Sequence, residues 1–188
     1  MLANTYFERG VEQILDIARR FASALDAAGI PYRVVGGLAV FLHVERADPL
    51  SARLTRDVDV AIDRAQLDRI KDAVAACGFV YRHAAGVDMF VDGSNPTARS
   101  AVHLVFVRER VRPDYIEPVP AFSEPARTPD GLLIAPVADL LRMKLTSFRL
   151  RDKVHIQDLD RAGLITPAIE AALPSSLRAR LADVRAAE

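Results

Sequence analysis

The segment from Tyr32 to Ile62 constrains the fold more than any other part of the chain. A short strand candidate, Tyr32-Arg33-Val34-Val35, runs straight into Gly36-Gly37 and then into a helix candidate over Leu38 to Glu45. After a polar loop at 46–56, the run Asp57-Val58-Asp59-Val60-Ala61-Ile62 alternates with period two, the pattern of a half-buried strand. Alternate strand side chains share a face, so Asp57 and Asp59 project to one side while Val58, Val60 and Ile62 turn to the core. The carboxylates then stand about 7 Å apart on one surface. Like charges so placed repel, and a divalent cation held by oxygen ligands relieves them. A bare Asp-x-Asp is more often the solvated face of an ordinary strand, and Gly-Gly is as often a plain tight turn. Their succession points further. A strand-to-helix turn of glycines offers backbone N–H groups to phosphate oxygens beside a pair of metal-binding carboxylates. Mg²⁺ is the expected ion, with Mn²⁺ as the alternative, because Mg²⁺ takes one or two protein carboxylates and fills its shell with water and substrate phosphates.

The flanking pattern is that of an α+β domain. Apolar residues from Phe7 to Ala28 recur at three- and four-residue steps and Gly29 stops them, which predicts an amphipathic helix. A further helix is expected over Arg64 to Ala76, and short strands over Phe79 to Arg82, Met89 to Val91 and Ala101 to Val107, with turn signals at Gly86, Gly93 and Asn95-Pro96. Five prolines between Pro113 and Pro129 mark an irregular stretch. A strand at Gly131 to Ala135 follows, then one or two helices within the Gly- and Pro-free run Val137 to Ala162, and short helices opening at Pro167 and Pro174. A boundary near residue 128 divides the chain into a core at 1–128 and a helical region at 129–188 packed on it.

Twenty-five basic against 25 acidic residues give a net charge of 0, so bulk charge draws the chain to neither nucleic acid nor membrane. The longest apolar run, Val34 to Leu42, is far below the roughly 18 residues of a membrane helix. The opening MLANTYFERG has no signal-peptide core, and the lone Cys77 fits a reducing compartment, so a cytoplasmic protein with no membrane partner is expected. Signatures of P-loop, serine-hydrolase and zincin chemistry are absent from the sequence, and His43, His83, His103 and His155 lack a zinc spacing. A basic cluster does stand out: Arg142, Lys144, Arg149, Arg151 and Lys153 against Asp152 alone. On a helix, Lys144, Arg151 and His155 share a face, suited to triphosphate or RNA contact or simply to solvent. Arg53 and Arg56, in the loop before the aspartates, are phosphate-contact candidates by position.

The segments RVVGGLAVFLH at 33–43, TRDVDVAI at 55–62 and LLRMKLTSFRLRDKVHIQDL at 140–159 resemble, in that order, the nucleotidyltransferases of the DNA polymerase β-type fold. The AbiEii-type abortive-infection toxins and related proteins are the nearest in pattern. The resemblance implies an α+β nucleotidyltransferase-like fold, a mixed sheet flanked by helices with a C-terminal helical region. It implies that Gly36 and Gly37 hold nucleotide phosphates and that Asp57 and Asp59 bind Mg²⁺, beside Arg56, whose candidacy for the nucleotide rests on position alone. It also places Lys144 and Asp158 in the active site. On one straight helix those two would stand ~21 Å apart, so the helix is expected to break near Arg151 to Val154, or only one of them belongs. The third carboxylate usual in such enzymes has no counterpart, and its position corresponds to His103. An imidazole accepts a proton near pH 7 but suits a second Mg²⁺ less well than oxygen does.

The expected activity is transfer of a nucleoside monophosphate from a nucleoside triphosphate to a hydroxyl of RNA or protein, with His103 or Asp158 activating the hydroxyl. The alternative is a catalytically idle member of the fold that binds a nucleotide, or an antitoxin-like partner protein. A metal-dependent phosphohydrolase ranks third.

Overall fold

The computed structural model describes residues 2–53, 55, 57–93 and 101–187, apart from the side chains of residues 2–9. The first helix, α1 (Leu2–Ala27), starts earlier than its apolar periodicity, because nothing in residues 2–6 interrupts a helix. It ends at Gly29, whose φ of 63° belongs to the left-handed region. Strand β1 (Tyr32–Val35) passes directly into α2 (Gly36–Ala47), so both glycines lie in the helix's opening turn. Then come β2 (Val58–Ile62), a short 3-10 turn, α3 (Leu67–Ala75), and the hairpin of β3 (Phe79–Ala84) and β4 (Val87–Asp92).

That hairpin is longer than the apolar runs at 79–82 and 89–91 indicate. Ala85 and Gly86 both have positive φ, 50° and 75°, the signature of a two-residue turn matched to strand twist. Pairing therefore runs the whole way from Phe79↔Asp92 to Ala84↔Val87. Strand β5 (Ala101–Phe106) follows, and the Asn95-Pro96 turn before it lies outside the described residues. Within the proline-rich stretch the sequence gives no sign of β6 (Ala126–Arg127), which pairs with a β7 (Leu133–Ile134) shorter than its apolar flanks.

Among the described residues the seven strands join one mixed sheet in the order β3-β4-β5-β2-β1-β7-β6. β2 is antiparallel to β1 and parallel to β5, and β1 is parallel to β7. β6 and β7, on either side of residue 128, thus share the sheet with the strands before them. Helix α1 buries Phe21 and Leu25 completely, and the Phe21 ring meets Phe79 and Phe90 at 5.3 Å. Helix α2 packs on β1 and β2 and against α4 (Val137–Ser147) and α5 (Leu150–Arg161). The break between these two helices corrects the expectation of one near 151–154. It falls at Phe148, whose φ of 50° ends α4, and Asp152 caps the start of α5 through a capping box with Arg149. Helices α6 (Pro167–Ala171) and α7 (Ser175–Ala186) complete the chain, and α7 packs on α4 and α5.

Candidate active site

Pairing in the sheet assembles the site. Val35, the last residue of β1, lies opposite Asp59, so the chain leaving β1 must cross the Asp59 carboxylate. Only glycine fits at that crossing. A Cβ on Gly36 would stand 2.0 Å from Asp59 Oδ2, and its φ of 68° is itself a glycine conformation. Gly37 is similarly confined: a Cβ there would be 2.7 Å from Thr55 Oγ1 and 3.3 Å from His155 Cε1. The N-terminus of α2 is therefore brought against the aspartate face of β2, and Val35 at its N-cap has no side-chain acceptor to cover the opening N–H groups.

On the other side of β2, parallel register sets Asp59 beside His103 of β5, and paired residues point to the same face. His103 Nδ1 lies 3.9 Å from Asp59 Oδ1. Burial pushes the Asp59 carboxyl up from its ordinary range, against the opposing pull of Lys144 and His103, and the neighbouring Asp57 pushes the same way as burial. Asp57 is the more open of the two, and Arg151 Nη1 approaches its Oδ2 to 3.6 Å.

A cleft of ≈ 770 Å³ joins these groups, lined by Gly36, Gly37, Asp57, Asp59, His103 and Lys144 among others. Lys144 comes from α4 and Arg149, Arg151, Asp152 and His155 from the turn and helix after it, so three of the five basic-cluster residues line the cleft, while Arg142 lies by Glu117 and Lys153 over the Phe148 ring. The Lys144 ammonium is buried, and its Nζ donates to Asp152 Oδ1 at 3.0 Å. Burial drives the Asp152 carboxyl up, but Lys144, Arg149 and Ser147 together outweigh it and hold it at about 2. His155, packed on Gly37, is pushed down to about 4, first by burial and then by Lys144, so it is neutral at pH 7. Its Nδ1 is buried without a hydrogen-bond partner.

The structure thus brings Gly36, Gly37, Asp57, Asp59, His103 and Lys144 to one cleft, but not Asp158. That aspartate, on α5, accepts a hydrogen bond from Arg53 Nε at 3.0 Å and is not among the residues that line the cleft. The carboxylate beside Lys144 is Asp152, the single acid within the basic cluster, which the sequence reading did not assign to the site. Arg53 is engaged with Asp158, and Arg56 lies outside the described residues. No three or more His, Cys, Asp or Glu side chains converge on a metal position among the described residues. The protein ligands on offer are Asp59 of β2 and Asp57, which directly precedes that strand, within the one or two carboxylates Mg²⁺ usually takes.

Sequence comparison matches no family model and no curated protein. In three dimensions the chain is similar to the antibiotic-resistance factor ANT(2'')-Ia as solved in solution, at 14% identity over 95% of each chain with a TM-score of 0.56. A crystal structure of ANT(2'')-Ia in complex with adenylyl-2''-tobramycin aligns at 12% identity over 90% of this chain and 92% of that one, with a TM-score of 0.44. The first likeness, with the mixed seven-stranded sheet flanked by helices, shows a nucleotidyltransferase-like α+β fold, as the sequence led one to expect.

Proposed function

We propose that the cleft is the active site of a metal-dependent nucleotidyltransferase, which moves a nucleoside monophosphate from a nucleoside triphosphate to an acceptor hydroxyl of RNA or protein. One observation carries this reading. Gly36 is pressed onto the Asp59 carboxylate, so a glycine-opened helix N-terminus and the Asp57–Asp59 pair meet in one cleft that Lys144 also lines.

The residues present fit one Mg²⁺, held by Asp57 and Asp59 and completed by water and triphosphate oxygens. When bound, the ion would neutralise the triphosphate and the charge that develops as pyrophosphate leaves. The chain's own groups supply the rest. The N–H groups of the first turn of α2 would bind phosphate oxygens, with the glycines letting them approach closely. Lys144 would set a fixed positive charge against the triphosphate, and Arg151, which also lines the cleft, would add a second. The acceptor oxygen attacks the α-phosphorus, the bond to the bridging oxygen breaks, and pyrophosphate departs. His103, half-buried beside Asp59, would take the hydroxyl proton, whereas Asp158 is held by Arg53.

Calorimetric titration of ATP, GTP, CTP and UTP, with and without Mg²⁺, tests the reading on the wild type and an Asp57→Ala/Asp59→Ala double variant. Binding of one nucleotide that needs Mg²⁺ and is lost in the variant is expected. Absence of any nucleotide binding at millimolar concentration would defeat it. The imidazole at His103, where such enzymes commonly carry a third carboxylate, favours a second reading, an idle member of the fold that binds nucleotide or an antitoxin-like partner. Mass analysis of acceptors incubated with the bound nucleotide separates the two: an Asp57-dependent gain of one nucleoside monophosphate belongs only to the enzyme.

A further inference from the structure

Asp152 takes no direct part in the proposed transfer, yet at 1% exposure it is the most buried charged side chain among the described residues. Its two oxygens have separate tasks. Oδ2 accepts from Ser147 Oγ at 2.7 Å, from the Arg149 backbone N–H at 3.2 Å and from Arg149 Nε at 2.9 Å. Those bonds close the turn between α4 and α5 and complete the cap of α5, and none of them uses Oδ1. Oδ1 instead accepts from Lys144 Nζ at 3.0 Å, eight residues back and on the preceding helix.

A cap alone does not account for that second contact, since an N3 residue needs only one acceptor oxygen. Lysine is a flexible four-carbon stem ending in a point charge, with no planar fork to orient it. Buried ammonium without a counter-charge is costly and would swing toward water. The bond to Asp152 prevents this, and the Nζ retains further N–H donors within the cleft that also holds Asp59.

We propose that Asp152 is a positioning residue, which fixes the Lys144 ammonium in place for the triphosphate of the bound nucleotide while touching no substrate itself. The inference rests on the nucleotidyltransferase reading and names the group that makes Lys144 effective. It also gives the tight turn at Phe148 a purpose, because only a break there returns residue 152 to the side of residue 144.

The test is a double-variant cycle read by ATP affinity in the presence of Mg²⁺, with thermal midpoints measured alongside. Asp152→Asn and Lys144→Met should each weaken ATP about tenfold, the worth of one charge-assisted hydrogen bond. In the Lys144→Met background, Asp152→Asn should change affinity less than about twofold, since its effect passes through the lysine. Ser147→Ala removes a donor to Oδ2 and none to Oδ1, together with its contacts to the Met143 and Lys144 carbonyls, and should lower the thermal midpoint while leaving ATP affinity within about twofold. Should Asp152→Asn not fold, Asp152→Glu keeps the charge and displaces it by one methylene, with the same dependence on Lys144 expected. Losses that add independently in the double variant, or an Asp152→Asn protein that loses stability but binds ATP normally, would make Asp152 a cap and overturn the proposal. A wild type that binds no nucleotide overturns the reading beneath it, a different outcome from additivity in a protein that does bind.

Discussion

A methyl group distinguishes the two kinds of glycine in this chain. Gly29 and Gly36 both have positive φ, 63° and 68°, but a Cβ on Gly29 meets nothing within 4 Å while one on Gly36 strikes Asp59 Oδ2. Gly29→Ala should therefore cost only the backbone term, about 1 kcal/mol. Gly36→Ala should cost that and roughly 1–3 kcal/mol more from overpacking, visible as a larger drop in denaturant midpoint. Adding Asp59→Ala should return most of the excess, and if it does not, the collision is not the cause. His155 permits a second test at this scale. Its folded value of about 4 lies below the ordinary 6.5, so the unfolded chain takes up the proton first. The resulting loss of stability is absent above pH 7, grows as pH falls from about 6.5 to 4, and reaches about 3 kcal/mol. Asp59 and Asp158, both raised, act with the opposite sign, so the comparison must be with His155→Gln. That variant should lose less stability than the wild type between pH 7 and 4.5 in urea titrations. Sequence alone exposed Asp57, Asp59, Gly36 and Gly37, because strand period and chain adjacency place them. It could not choose Asp152 over Asp158, since that choice depends on one positive φ at Phe148.

Elements with strong local signals were legible, and those made by pairing or by a single backbone dihedral were not. The β3–β4 hairpin outran its apolar residues because two left-handed turn residues close it, and β6 has no apolar pattern at all. The break between α4 and α5 is held by something equally invisible in sequence, a residue of α7. Arg180 Nη1 donates to the carbonyls of Leu145 and Thr146 at 2.7 and 2.9 Å, capping the end of α4, and its guanidinium lies 4.9 Å from the centre of the Phe148 ring. Helix C-termini leave such carbonyls without partners, and a cation there is favoured. Arg180→Ala should thus destabilise the fold by roughly 2 kcal/mol, the worth of charge-assisted bonds partly exposed to solvent. Arg180→Lys keeps the charge without the fork and should recover only part. Equal thermal midpoints for wild type and Arg180→Ala would show that α7 merely rests on the turn.

At the scale of the molecule, the site exists only where distant segments of the sequence meet. Glycines and aspartates come from residues 36–59, the imidazole from 103 and the basic wall from 144–155. Fold class was legible because alternating strands and amphipathic helices announce themselves locally. Strand order was not, because it rests on distant pairings such as Val34 with Ile134 and Asp59 with His103. The sheet itself runs across the proline-rich stretch where composition suggested a boundary near residue 128. A chain ending at residue 128 would leave β1 without its β7 neighbour and would strip α2 of α4 and α5, with Leu140, Leu141, Leu145, Ile156 and Leu159 all removed from the core. Each of these five is completely buried, and loss of one such side chain commonly costs 2–5 kcal/mol, so the total exceeds the whole stability of an ordinary domain. Residues 1–128 alone should show no cooperative thermal transition and should bind a dye that reports exposed apolar surface. A sharp transition in that fragment would instead establish a core that folds by itself, with the helical region docked on afterwards. In the full chain, Mg²⁺ and the right nucleotide should raise the midpoint of one shared transition, about 2.7 kcal/mol of stabilisation at a hundredfold excess over Kd, because the ligand would bridge the first half of the sheet and the helices that cover it.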